Sequence, residues 1–179
     1  RYVHDGLAEA VKYGCIGDRE LFEIFESLET EEDLEKHIEE IILHSVLQKT
    51  RVVEEDEFDT GKRQVLNFGH TIGHAVERYF HYSTFTHGEG VAIGMSLLTE
   101  QTEKMGLTEK GTASRLIRVL HKLSLPTSIG VPAEDLIPQI MHDKKRRGKK
   151  ITLVVLKKIG EAELLTIPTD ELSRYIVTE

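Results

Sequence analysis

A mainly α fold, a helical bundle with a small β-hairpin near the carboxy terminus, is predicted for this 179-residue chain by three observations. Apolar residues recur at helical spacing from Gly6 to about His142. The pattern then changes to two β-rich runs, Ile151 to Leu156 and Glu163 to Ile167, on either side of Gly160, as a hairpin requires. A hydrophobic content of 39% over this length fills one core, so residues 1–179 read as a single domain.

The elements follow in order. A first helix runs through Tyr13 and a second segment covers Asp18 to Leu28. A long helix spans Thr30 to Asp56: Thr30 is the N-cap, and Glu31, Glu32 and Asp33 favour the positive end of the helix dipole. Its apolar stripe, Leu34, Ile38, Ile41, Ile42, Val46 and Val53, is expected to face the core, with Lys49 on the same face. A lysine among core positions is costly unless an anion pairs with it, although its stem can also snorkel to water. Helices containing His70, running from His87 to about Met105, and running from near Thr108 to Leu123 before Pro126 come next. After the hairpin, Thr169 with Asp170 is expected to cap a final short helix. The sequence has no internal repeat or low-complexity segment.

Composition excludes several functions. With 23 basic and 31 acidic residues the formal charge is −8, which opposes an extended polyanion-binding surface, so nucleic acid is not an expected partner. The basic run Lys144 to Lys150 fits a solvated loop or a local pocket better. No apolar run is long enough to cross a membrane, and the single cysteine, Cys15, cannot form an internal disulfide; both fit a cytoplasmic protein. The acidic segment around Asp56 places Phe58 and Asn67 where a calcium loop needs oxygen ligands. Gly88, Gly90 and Gly94 are spaced one residue too widely for a dinucleotide fingerprint and follow no strand pattern.

The chemistry concentrates in the histidines. His70 and His74, at i and i+4, share a helix face, and His87 opens the next element, so three imidazoles can close on one divalent metal. Histidines such as His37, His44 and His121 read instead as residues that satisfy their own hydrogen bonds. Gly69, Gly73, Gly88, Gly90 and Gly94 crowd the two histidine segments. Each costs about 1 kcal/mol in a helix relative to alanine, which points to a backbone that must approach something closely. The position that carries the general base in zinc peptidases is Thr71, so peptide hydrolysis by that route is excluded. Glu9 and Lys12, at i and i+3, would by themselves be a solvated ion pair worth a few tenths of a kcal/mol.

The strings DGLAEAVKYG, LNFGHTIGHAVE, HGEGVAIGM and HDKKRRG, in this order from about residue 5 to about residue 160, resemble the carboxy-terminal domain of the 3-dehydroquinate synthases, within the sugar-phosphate cyclases. The resemblance implies a divalent metal, zinc or cobalt, on Glu9, His70 and His87, and turns His74 from a ligand into an active-site polar group. It implies catalytic roles for Lys12, Lys49 and His74. It also implies a substrate pocket lined by Lys12, Lys49, Arg63, Asn67, His74 and one of Lys144 and Lys145. Read as one helical segment, Arg63, Asn67, His70 and His74 would stack a guanidinium, an amide and two imidazoles along one side, a set suited to an anionic sugar phosphate.

The implied reaction converts 3-deoxy-D-arabino-heptulosonate 7-phosphate to 3-dehydroquinate and phosphate in the shikimate pathway, through NAD redox, phosphate elimination and aldol closure. The family's amino-terminal NAD-binding domain is absent from these residues, so the chain is expected to be a piece of a two-domain cytosolic enzyme, homodimeric when complete. Alone, it is expected neither to bind NAD tightly nor to turn over. The alternatives are another cyclase resembling 2-deoxy-scyllo-inosose synthase, or the carboxy-terminal domain of a metal-dependent alcohol or glycerol dehydrogenase. Against the latter, such relatives carry Asp where Glu9 stands and lack the segment Asp143 to Lys145. A non-catalytic module binding metal or a partner would give Glu9, Lys49, Arg63 and Asn67 no reason to converge.

Overall fold

The computed structural model describes residues 2–56, 61–144 and 149–177. It is a helical bundle with one two-stranded antiparallel sheet among the described residues. Helices α1 (Tyr2–Ile16), α2 (Arg19–Ser27) and α3 (Glu31–Glu55) are followed by a 3-10 turn, Lys62–Asn67. Helices α4 (His70–Tyr79), α5 (His87–Lys104) and α6 (Thr112–Lys122) come next, then a short 3-10 turn, Ala133–Leu136, leading into α7 (Ile137–Lys144). Strands β1 (Lys150–Lys158) and β2 (Glu161–Pro168) close the order with a last 3-10 turn, Thr169–Tyr175.

Helix α5 is the axis of the fold. Its residues are buried almost without interruption from Gly88 to Thr99, and α1, α4 and α6 pack around it. A helix enclosed on all sides must satisfy its own polar groups. Ser96, Thr99 and Thr102 do so by donating their hydroxyls to the carbonyls of Ala92, Met95 and Leu98. The hairpin turn is fastened to the bundle by Gly160, whose N–H donates to the Cys15 carbonyl at 2.9 Å in a left-handed conformation, φ 81°.

Several boundaries differ from the sequence reading, each for a local reason. Thr30 caps α3 as expected, in a reciprocal box with Asp33. The stripe of α3, however, is narrower and rotated. Ile41, Gln48 and Val52 are its buried residues, while Ile42 and Val46 are each 56% exposed and Lys49 is exposed with them. This helix is apolar over more of its circumference than its neighbours cover, so apolarity alone could not locate its buried side. Helix α6 starts at Thr112 rather than near Thr108, because the Thr108 hydroxyl is committed to the Leu156 carbonyl at 2.7 Å. Thr169 and Asp170 do not cap an α-helix: the last element is a 3-10 turn, and the Thr169 N–H donates to the Lys149 carbonyl.

A candidate metal centre beside a cationic cleft

Two backbone dockings bring distant stretches of chain to one point. Glycines let α4 and α5 touch: a Cβ on Gly73 would lie 3.0 Å from the Gly90 carbonyl, and one on Gly94 would lie 2.1 Å from the Gly69 oxygen. The close approach read from the glycine pattern is therefore one helix against another. At the start of α5 the Gly88 N–H donates to Asp5 Oδ1 at 2.8 Å, and a Cβ there would lie 2.4 Å from the Asp5 Cα. Glu9 stands one turn beyond Asp5 on α1, so this contact delivers its carboxylate to the first residue of α5.

His70 and His87 each open a helix. Gly69, at φ 78°, turns the chain into α4, and Thr86 starts α5 in a capping box with Glu89. The glutamate of the His-Gly-Glu string thus serves the helix end.

Glu9, His70 and His87 converge, each offering a ligand atom within 4.8 Å of the others. Glu9 Oε1 is 3.4 Å from His70 Nε2 and 3.9 Å from His87 Nε2. Tetrahedral zinc with bonds near 2.1 Å sets its ligand atoms about 3.4 Å apart, so the first separation already fits and the second must contract. The other carboxylate oxygen, Oε2, accepts from Lys12 Nζ at 2.6 Å. Oε1 is buried and has no hydrogen-bond partner among the described residues, an orphan that a cation would satisfy. Burial by itself would raise the Glu9 carboxyl, but His70 and Lys12 outweigh it and bring the pKa to about 2, so the carboxylate is ionised at neutral pH. The donor set of one carboxylate and two imidazoles suits zinc or cobalt.

Both imidazoles are oriented from behind. His70 Nδ1 is 3.1 Å from the Phe68 carbonyl, which can only accept, so Nδ1 carries a proton; Nε2 faces Glu9 and would give up any proton of its own to hold a metal. His87 Nδ1 lies 3.2 Å from Glu77 Oε1. Glu77, with His74 and His87, makes a second group at ligand spacing. The three imidazoles stand as a triangle with ring centroids 5.2 to 5.7 Å apart.

Lys12 is only 3% exposed, which rules out the solvated pair that its spacing from Glu9 would suggest. Burial lowers its pKa, Glu9 opposes this, and the charge of Lys49 pushes it lower still. Lys49, although exposed, is therefore near enough for its charge to reach Lys12. Partial loss of water around the His74 ring lowers its pKa, against the pull of Glu77.

A cleft of about 540 Å³ opens on the His70 side of the triad, and Asn67, His70, His74, Arg78, Lys150 and Thr152 are among its walls. Arg63 is exposed and does not line it; its N–H donates to Asp56 Oδ2 at 2.8 Å. The single helical stack expected from Arg63 to His74 is broken, since Lys62–Asn67 is a 3-10 turn and Gly69 reverses the backbone before α4. Lys145 lies outside the described residues, and Lys144 is the last residue of α7. Arg78, Lys150, Glu77 and Asp5 were not singled out from the sequence. Arg78 donates to the Gln139 carbonyl at 2.8 Å, and Lys150 and Thr152 reach the cleft from alternate positions of β1. Glu77 and Asp5 lie within the strings quoted above and Lys150 ends the basic run, whereas Arg78 carried no signal.

Residues 6–146 match the family model described as 3-dehydroquinate synthase C-terminal. The chain is 45% identical over 177 residues to a 3-dehydroquinate synthase of Clostridium acetobutylicum and 46% identical over 180 residues to one of Enterococcus faecalis. These alignments cover 98% and 100% of the chain, which spans about half the length of these curated relatives. Among solved structures it is similar to a 2-epi-5-epi-valiolone synthase of Streptomyces hygroscopicus with NAD+ and Zn2+ bound, at TM-score 0.76 and 23% identity, covering 95% of this chain and 49% of that one. It is also similar to a 2-deoxy-scyllo-inosose synthase complexed with carbaglucose-6-phosphate, NAD+ and Co2+, at TM-score 0.73 and 23% identity, covering 98% of this chain and 52% of that one. Among the described residues, no helix is long and apolar enough to cross a membrane.

Proposed function

We propose, because this chain belongs to the 3-dehydroquinate synthase C-terminal family, that it is the metal- and substrate-binding domain of such an enzyme. The whole enzyme would convert 3-deoxy-D-arabino-heptulosonate 7-phosphate to 3-dehydroquinate and phosphate, with NAD held by an amino-terminal half. The observation that carries this reading is the meeting of Glu9, His70 and His87 around a buried carboxylate oxygen that has no hydrogen bond among the described residues. The presence of NAD+ with Zn2+ or Co2+ in the two cyclases of similar fold supports the same cofactor pair here.

Glu9, His70 and His87 would hold the ion. A bound divalent cation supplies a positive charge that polarises a substrate hydroxyl or carbonyl. Lys12 keeps Glu9 oriented and ionised through Oε2, leaving Oε1 to face the histidines. His74, on the cleft wall, would be placed to exchange a proton with substrate through a ring nitrogen. Asn67 offers an amide to phosphate or hydroxyl oxygens, while Lys12, Lys49, Arg63 and one of Lys144 and Lys145 supply positive charge for a substrate bearing a carboxylate and a phosphate. Fixing both anionic ends orients the carbon skeleton between them.

Another cyclase of the 2-deoxy-scyllo-inosose type ranks lower, since such neighbours share 23% identity against 45% and 46% for the synthases. In a complete two-domain protein, phosphate release from the heptulosonate phosphate is expected to vanish in Glu9→Gln and His87→Ala together with the bound metal. Full activity in a metal-free His87→Ala enzyme would refute the assignment. The chain alone is expected to release no phosphate and to show no micromolar NAD binding by calorimetry.

A further inference from the structure

We infer that Glu77 is a positioning residue of the metal centre, which fixes the tautomer and ring orientation of His87 and thereby sets the strength of metal binding. This deepens the proposed function and rests on the Glu9, His70 and His87 triad. Glu77 Oε1 lies 3.2 Å from His87 Nδ1, and its side chain is 13% exposed, against 43% for His87. A carboxylate only accepts, so the proton of this bond resides on Nδ1 and the lone pair on Nε2, the atom 3.9 Å from Glu9 Oε1.

The two histidines of the triad are not supported alike. His70 is backed by the fixed carbonyl of Phe68, two residues away in sequence. His87 stands at the first position of α5, its side chain nearly half exposed, and has Glu77 behind it, presented by the neighbouring helix. Without Glu77 the His87 ring would be free to present either nitrogen, and part of the ordering of the site would have to come from binding itself. The glycine contacts that press α4 against α5 therefore also set Glu77 within reach of His87.

His74, Glu77 and His87 also stand at ligand spacing, so the rival reading makes Glu77 a ligand of a second ion. Metal stoichiometry separates the two. Zinc affinity of the full 179-residue chain is measured by competition with a chromophoric chelator, and the site is observed directly through the visible absorption of bound cobalt. One ion per chain is expected. Glu77→Ala should weaken zinc binding by about 10- to 100-fold and alter the cobalt spectrum. Glu77→Gln, which keeps an acceptor but not the charge, should fall between Ala and wild type, and serves alone if the alanine variant fails to fold.

Zinc affinity in a folded Glu77→Ala or Glu77→Gln chain within about twofold of wild type would overturn the inference, as would two ions per chain with one lost in both Glu77→Ala and His74→Ala. Glu9→Gln identifies the source of a failure. If it loses zinc while the Glu77 variants keep theirs, only the role of Glu77 falls; if it binds zinc like wild type, the proposed metal site falls as well.

Discussion

Gly94→Ala tests the packing on which the whole site depends. A Cβ at this position would lie 2.1 Å from the Gly69 carbonyl oxygen and 3.0 Å from the Gly73 nitrogen. Both are backbone atoms, which cannot rotate away, so α4 and α5 must separate by about 1 Å, and overpacking of this kind costs about 3 kcal/mol. Alanine gains about 1 kcal/mol of helix propensity over glycine in a helix interior, which leaves a net loss of about 2 kcal/mol. For a domain of this size that corresponds to a drop of about 4 to 8 °C in Tm. Because Gly69 immediately precedes His70, the same displacement disturbs the 3.4 Å approach of His70 to Glu9, and zinc should raise the Tm of the variant less than that of wild type. Circular dichroism melts with and without zinc read both effects. Gly6→Ala is the control: nothing lies within 4 Å of its Cβ in α1, so it should gain about 0.5 to 1 kcal/mol. A Gly94→Ala chain at least as stable as wild type, with an undiminished response to zinc, would refute the reasoning.

Other outcomes follow from single contacts. Glu9→Gln removes the one anionic ligand, and zinc affinity should fall at least about tenfold by equilibrium dialysis; unchanged affinity would exclude Glu9 as a ligand. Asp5→Ala frees the Gly88 N–H and should cost about 1 kcal/mol in chemical denaturation, together with some zinc affinity. Glu26 accepts two hydrogen bonds from Arg115, at 2.8 and 2.6 Å, which hold its carboxyl below the ordinary 4.5 despite the opposing effect of burial. Its folded value being the lower one, the stability it contributes is complete above 4.5 and is lost as pH falls through that lowered value. The Tm difference between wild type and Glu26→Gln should therefore shrink in acid, and a difference that grows there would contradict the assignment. Cys15 is fully buried and its thiol pKa is pushed far up by that burial, so aromatic disulfide reagents should label it only on unfolding; fast labelling of the folded chain would show that α1 opens.

Local chemistry was legible in the sequence wherever its cause is local. Thr30 and Asp33 cap α3 because a side-chain oxygen three residues away reaches the free N–H groups whatever the surroundings. The hairpin around Gly160 and the helical run through His70 and His74 were visible from periodicity alone, and the glycines beside the histidines announced a close approach without naming the partner. The four strings fixed the family, and with it the residues expected to hold metal.

Tertiary structure alone decided which side chains meet. Whether Ile42 faces core or solvent depends on what packs against α3, and its exposure is not encoded in its own apolarity. The contribution of Lys150 and Thr152 to the cleft arises because the hairpin folds back beside α4, and the roles of Asp5 and Glu77 exist only through contacts with another helix. Glu9 and His87 are 78 positions apart in the chain, a separation at which spacing carries no information about distance. The spacing of the helices that carry Glu9, His70 and His87 is set by the backbone contacts of Gly69, Gly73, Gly88 and Gly94.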